Sequence, residues 1–130
     1  MFEFLKGKPK KFMTEQSHKK NLASQLTMSP QTVEQLRGYD VTGEMFLKLE
    51  FFFYTNTQDK AAALNKKLTS MGYQTDYGVA AGNKKLQIVT GWTSPIQMST
   101  NTIVEWTKQM CIVGFEHDAE FDGWGTNPKQ

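Results

Sequence analysis

With 130 residues, 38% of them hydrophobic and 22% charged, the chain has the make-up of one soluble globular domain that buries a core without covalent staples. Its single cysteine, Cys111, excludes an internal disulfide, and no apolar run reaches membrane-spanning length. A cytoplasmic protein with no membrane partner is expected. The net charge of +2 hides an asymmetry: residues 1–20 carry Lys6, Lys8, Lys10, Lys11, Lys19 and Lys20 against Glu3 and Glu15, whereas from residue 41 eight lysines meet nine acids.

In chain order, residues 1–28 are polar and lysine-rich, with room for one poorly amphipathic helix from about Thr14 to Leu26. Ser29-Pro30 reads as the N-cap and first residue of a second, short helix that ends at Gly38. Residues 1–40 are therefore expected to form a basic leader and short helix, and residues 41–130 the main domain. Leu47 to Tyr54 reads as a strand with Leu47, Leu49, Phe51 and Phe53 on one face and Phe52 and Tyr54 on the other. Asn56 or Thr57 caps a helix with Ala61, Leu64, Leu68 and Met71 on one stripe, closed by Gly72. A strand from Tyr73 turns near Gly82-Asn83 into another from Lys85 to Thr93, and Pro95 ends it. Ser99 or Thr100 caps a helix with Ile103, Trp106, Met110 and Val113 on its apolar stripe, which Gly114 is expected to stop. The helix–Gly72-Tyr73 element and the helix–Gly114-Phe115 element then echo each other at an offset of 42 residues. This order is an α+β, ferredoxin-like βαββαβ plan: a four-stranded antiparallel sheet, two helices on one face, an N-terminal helical extension and an acidic strand on an edge.

That last strand, read from Phe115, carries the strongest signal. Glu116, Asp118, Glu120 and Asp122 alternate with Phe115, His117, Ala119 and Phe121, which places four carboxylates in one row about 7 Å apart. Like charges so spaced repel each other, so a cationic partner is one reading and protection of an edge strand is the other. In the first reading Glu116, Asp118, Glu120 and Asp122 accept arginine or lysine side chains, Trp124 is an exposed anchor beside them, and Gly123 and Gly125 permit the turn.

Other constellations are weaker. Phe52 and Tyr54, with the N-terminal lysines, offer an alternative RNA-binding module of RNA-recognition topology, but Leu86 to Trp92 lacks the aromatic motif those modules carry, and residues 29–40 are expected to cover that face. Cys111 and His117 are the only nucleophile–base candidates, and both read as packed residues. The acids match no calcium loop, and no phosphate loop or zinc spacing occurs. No cofactor, no metal and no catalytic residues are expected.

The run Gly114-Phe115, Asp118 and Phe121-Asp122-Gly123-Trp124-Gly125-Thr126, together with Ser70-Met71-Gly72-Tyr73, resembles the ribonuclease E inhibitor family (regulator of ribonuclease activity B) over roughly residues 44–127. The resemblance implies a bacterial, non-enzymatic protein that binds a basic region of a ribonuclease outside its catalytic part and lowers its activity. Direct nucleic-acid binding is not implied, and a monomer or weak dimer is expected. The basic leader, and Thr-Asn-Pro-Lys-Gln in place of an acidic tail after the Gly-Trp-Gly turn, depart from the family pattern.

Overall fold

Alternation in the aromatic strand sets the architecture, because it gives one ribbon two unlike faces. The computed structural model describes residues 10–130; Lys6 and Lys8 of the leader lie outside that range. The elements are α1 (Glu15–Arg37), β1 (Phe46–Leu47), β2 (Glu50–Thr55), α2 (Gln58–Ser70), β3 (Gln74–Ala80), β4 (Asn83–Trp92), β5 (Ile96–Gln97), α3 (Thr100–Glu116) and β6 (Glu120–Gly125). Four strands form one antiparallel sheet in the order β3-β4-β2-β6. The aromatic strand and the third strand are central and the last strand lies on an edge, as the ferredoxin-like plan requires.

Phe51 and Phe53 are fully buried under α2 and α3, where they meet Ala61, Leu64, Leu68, Ile103 and Met110. Burial of each such large apolar side chain contributes roughly 1.5–3 kcal/mol. The run from Leu47 does not stay in one strand. It breaks at Lys48-Leu49, where Thr93 Oγ1 accepts the Leu49 N–H at 2.9 Å, and Phe46–Leu47 pairs instead with Ile96–Gln97 in a separate ribbon.

The N-terminal region also differs from the sequence expectation. One 23-residue helix replaces two pieces, capped by Thr14, with Pro30 inside it. Proline removes a helical hydrogen bond and costs about 3 kcal/mol in a helix interior. Here the helix continues because Gln25, Ser29, Val33 and Leu36 form one buried stripe at helical spacing, and Val33 and Leu36 join the core that the sheet builds. Ser29 is consequently not a cap. Its hydroxyl lies 2.7 Å from Thr107 Oγ1 of α3 and accepts Trp124 Nε1–H at 2.9 Å, while Thr107 donates to the Ile103 carbonyl at 2.8 Å. This chain of donors ties α1, α3 and β6 together. Replacement of Ser29 by Ala leaves the indole N–H without its acceptor, and a loss of about 1–3 kcal/mol is expected in thermal or denaturant unfolding.

The three helices of the described residues close in the same way. Val41, Tyr73 and Ala119 donate back to Leu36, Leu68 and Gly114, and the residue before each donates to Arg37, Thr69 and Phe115 respectively. This paired pattern needs a left-handed residue, supplied by Asp40 (φ 65°), Gly72 (φ 88°) and Asp118 (φ 53°). Gly114 therefore does not stop α3. It lies inside the helix, where an added Cβ would come within 3.0 Å of the Phe53 ring.

Close approach of backbones constrains Gly91. An added Cβ there would overlap the Gln74 carbonyl oxygen and press on Thr75 Cα in the neighbouring strand. Gly91→Ala should separate β3 from β4 and destabilise by more than about 3 kcal/mol, or prevent folding, as read by circular dichroism melts.

Candidate protein-docking site

The acidic segment is folded by the turn that ends α3. Because residues 114–119 make the paired closing hydrogen bonds, strand geometry starts only at Glu120. The expected row of four carboxylates does not form. Glu116 is the last residue of α3 and is exposed, Asp118 sits in the turn, and only Glu120 and Asp122 lie on β6.

Asp118 is held by the protein itself. Its carboxylate accepts the backbone N–H groups of Phe12 and Met13, each at 2.7 Å, and pairs with Lys60 Nζ at 2.7 Å. Its own carbonyl accepts the Thr55 hydroxyl at 2.7 Å. The arm ahead of α1 is thereby latched onto α2 and the end of β2, with the Lys10 carbonyl accepting from Asn56 and Lys60. Phe115 adds a stacking surface: His18 lies parallel to it with ring centroids 4.2 Å apart, and Lys11 Nζ sits 5.5 Å from its centroid. Partial desolvation by itself would raise the Asp118 carboxyl, but the Lys60 and backbone hydrogen bonds outweigh it and hold the group below the usual carboxylate range. The latch is accordingly complete above about pH 4 and is lost as pH falls through the depressed value. Asp118→Asn should cost about 2 kcal/mol near neutral pH and speed amide exchange at Phe12 and Met13, a difference that narrows in acid.

Glu120 and Asp122 are shifted the opposite way. Desolvation raises both, and the charge of Asp122 raises Glu120 further. Among the described residues the one ion pair is that of Lys60 with Asp118, so neither β6 acid has a described cation. Raised values mean that their ionisation costs stability: the folded state is favoured below about pH 4, and that advantage goes as pH rises through the shifted values. A Glu120→Gln, Asp122→Asn double variant should be more stable than the parent at pH 7 by a few tenths of a kcal/mol, solvent screening included, and equal to it at pH 3.

A bulge shapes this strand. Phe52 of β2 pairs with Gly123 and Phe53 with Phe121, which leaves Asp122 as the extra residue. Gly123 takes φ 125°, a backbone value that disfavours any side chain. The bulge restores the inward direction at Trp124, so this residue is not the exposed anchor expected. It is half-buried, with its ring edge-on to Trp106 at 6.2 Å and its N–H on Ser29. Gly125 pairs with Glu50.

Phe52 and Tyr54 lie half-buried on the sheet face opposite α2 and α3. Residues 29–37 do not lie across that face as expected, because α1 packs along α3 and β6. Phe52 faces α1 across a cleft that Met28, Ser29 and Thr32 also line. Across the strands, Phe52 neighbours Thr90, which faces Asp76, while Tyr54 neighbours Ile88 and Glu120. Cys111 is buried in α3, and burial together with the Glu120 charge pushes its thiol up to about 12. Its sulfur receives only a 3.9 Å contact from Asn21 Nδ2, and it is not a thiolate nucleophile at neutral pH. His117 Nδ1 sits 2.8 Å from the Val113 carbonyl at the end of α3, not on a strand beside Phe121. Sequence reading missed Lys60, whose partner Asp118 lies far along the chain, and Gln25, which is buried on the stripe of α1. Among the described residues no three His, Cys, Asp or Glu side chains converge as metal ligands, and no helix is long and apolar enough to cross a membrane.

The fold and this surface define a small α+β protein whose chemistry lies in an acidic, bulged sheet edge beside a long helix. Residues 27–126 match the family described as regulator of ribonuclease activity B (RraB). The chain belongs to that family. Among curated proteins nothing matches it. The match covers Ser29 and the second half of α1 together with the sheet and β6 through Thr126.

Proposed function

We propose that this protein is a non-enzymatic regulator of a ribonuclease, acting in the cytoplasm by binding a basic protein region through the surface around β6. Family membership supports the ribonuclease, and the two β6 carboxylates support the choice of surface. Glu120 and Asp122 are retained close together at a cost in stability, and a cationic segment that neutralises both would recover that cost on binding. Exposed Glu116 extends the negative field towards the end of α3, while Asp118 contributes by holding the arm beside it. Trp124 supports the surface from below as part of the wall against α1. The working form is a monomer or a weak dimer, and no cofactor takes part.

Base stacking by Phe52 and Tyr54 is the rival role for this face. Asp76, Glu50 and Glu120 flank these aromatics in the sheet register, and such a border repels phosphate. The test is cleavage of a reporter RNA by a purified ribonuclease from the native host, with and without this protein, at low and high salt. Wild-type protein should slow cleavage, and a Glu120→Lys, Asp122→Lys variant should need at least about tenfold more protein for the same effect. Undiminished cleavage at saturating wild-type protein overturns the reading. So does tight binding of the RNA itself that disappears in Phe52→Ala.

A further inference from the structure

Between α1 and β6 lies a cleft of about 250 Å³ lined by Gln25, Met28, Ser29, Thr32, Phe52, Asp122, Gly123 and Trp124. It exists because of the bulge and because Gly123 has no side chain: a Cβ at that position would stand 3.8 Å from Gln25 Oε1, inside the opening. Each wall contributes a different property. Phe52 and Trp124 offer aromatic surface, Met28 is an apolar lip with 43% of its surface exposed, and Asp122 supplies a carboxylate. Gln25 is the unusual member. It is only 5% exposed, yet among the described residues no hydrogen bond joins its side-chain amide, and its oxygen faces the cleft. The oxygen is therefore an open acceptor on the cleft wall, available to a ligand with donors to give.

Resting on the regulatory reading above, we infer that this cleft is a receptor for one arginine side chain of the partner. A guanidinium is planar, carries its charge permanently and donates from several edges at once. Seated against the aromatic walls of the cleft it gains cation–π attraction, and the Asp122 carboxylate and the Gln25 oxygen are the acceptors that the cleft offers its edges. The Met28 side chain covers its aliphatic stem. Lysine's compact ammonium can also sit over an aromatic ring, but it has no planar face to lie along one and cannot reach the Asp122 carboxylate and the Gln25 oxygen from two edges at once. The cleft therefore selects arginine over lysine, a discrimination that the open carboxylates of β6 cannot make. Asp122 is exposed at the mouth of the cleft, and the partial desolvation that disfavours its ionised form agrees with a carboxylate open to a counter-charge.

The test is a titration of the full chain with tri-arginine and with tri-lysine peptides, followed by the NMR signals of the Gln25 side-chain amide, the Trp124 indole N–H and the Gly123 backbone. Saturable shifts at these three groups with tri-arginine, and at least about tenfold weaker binding of tri-lysine, are expected. Asp122→Asn and Gln25→Leu should each weaken tri-arginine about tenfold, the loss of one charge-assisted contact, while Asp76→Asn on the far edge leaves it unchanged. The same spectra show that the variants are folded. Shifts confined to the Phe115–Asp118 side, equal response to the two peptides, or saturable shifts of these signals with single-stranded RNA alone would each overturn the inference. The two readings also separate. If Asp122→Asn and Gln25→Leu restrain the ribonuclease as well as wild type does, the cleft falls and the regulator stands. If the cleft takes tri-arginine while cleavage is unaffected, the cleft stands and the regulator falls.

Discussion

The left-handed turn at Asp118 is the constraint on which the acidic surface depends. Its backbone closes α3, its carbonyl takes the Thr55 hydroxyl from the end of β2, and its carboxylate gathers the arm and Lys60 of α2. One residue thus joins three elements and the start of the described chain. Glycine there would keep the turn and lose the latch; asparagine would keep the turn and lose the charge. Where this turn ends also decides which acids face solvent. Strand pairing begins at Glu120, two residues later, so the alternation that looks continuous from Phe115 is cut in half by the helix.

Much of the fold was legible because periodicity was strong where burial was deep. The Leu49-Phe51-Phe53 face, the Ala61-Leu64-Leu68 stripe and the Ile103-Trp106-Met110-Val113 stripe all lie in the core, and Thr57 and Ser99 cap the helices they were expected to cap. The failures came where one residue type stood in for another. Aspartate did the work of glycine in ending α1 and α3, so Gly114 was misread as a stop, and the internal echo was misaligned. Gly72 has its structural counterpart in Asp118. Ser29-Pro30 resembled a helix start, yet tertiary burial of Ser29 and Val33 outweighed the proline. Gln25 and Lys60 gave no local signal, because Gln25 faces Gly123 and Lys60 pairs with Asp118, nearly a hundred and some sixty positions away.

The charge distribution then has two distinct parts. Asp118 is satisfied and structural, whereas Glu120 and Asp122 remain in tension with their surroundings and with each other. The donor chain from Trp124 through Ser29 and Thr107 fixes how close α1 can come to β6. It thereby sets the width of the space in which Asp122 sits. A core polar network and a surface pocket are in this way one piece of engineering, with the indole as their common wall.

The position of α1 has an outcome beyond this pocket. In a four-stranded sheet of order β3-β4-β2-β6 two margins are exposed in principle, but the long helix runs beside β6 and leaves β3 as the open one. A ribbon with a single unguarded margin can recruit one more strand and then has none left to offer. Two copies paired through β3 would leave no open margin of this four-stranded sheet for a third.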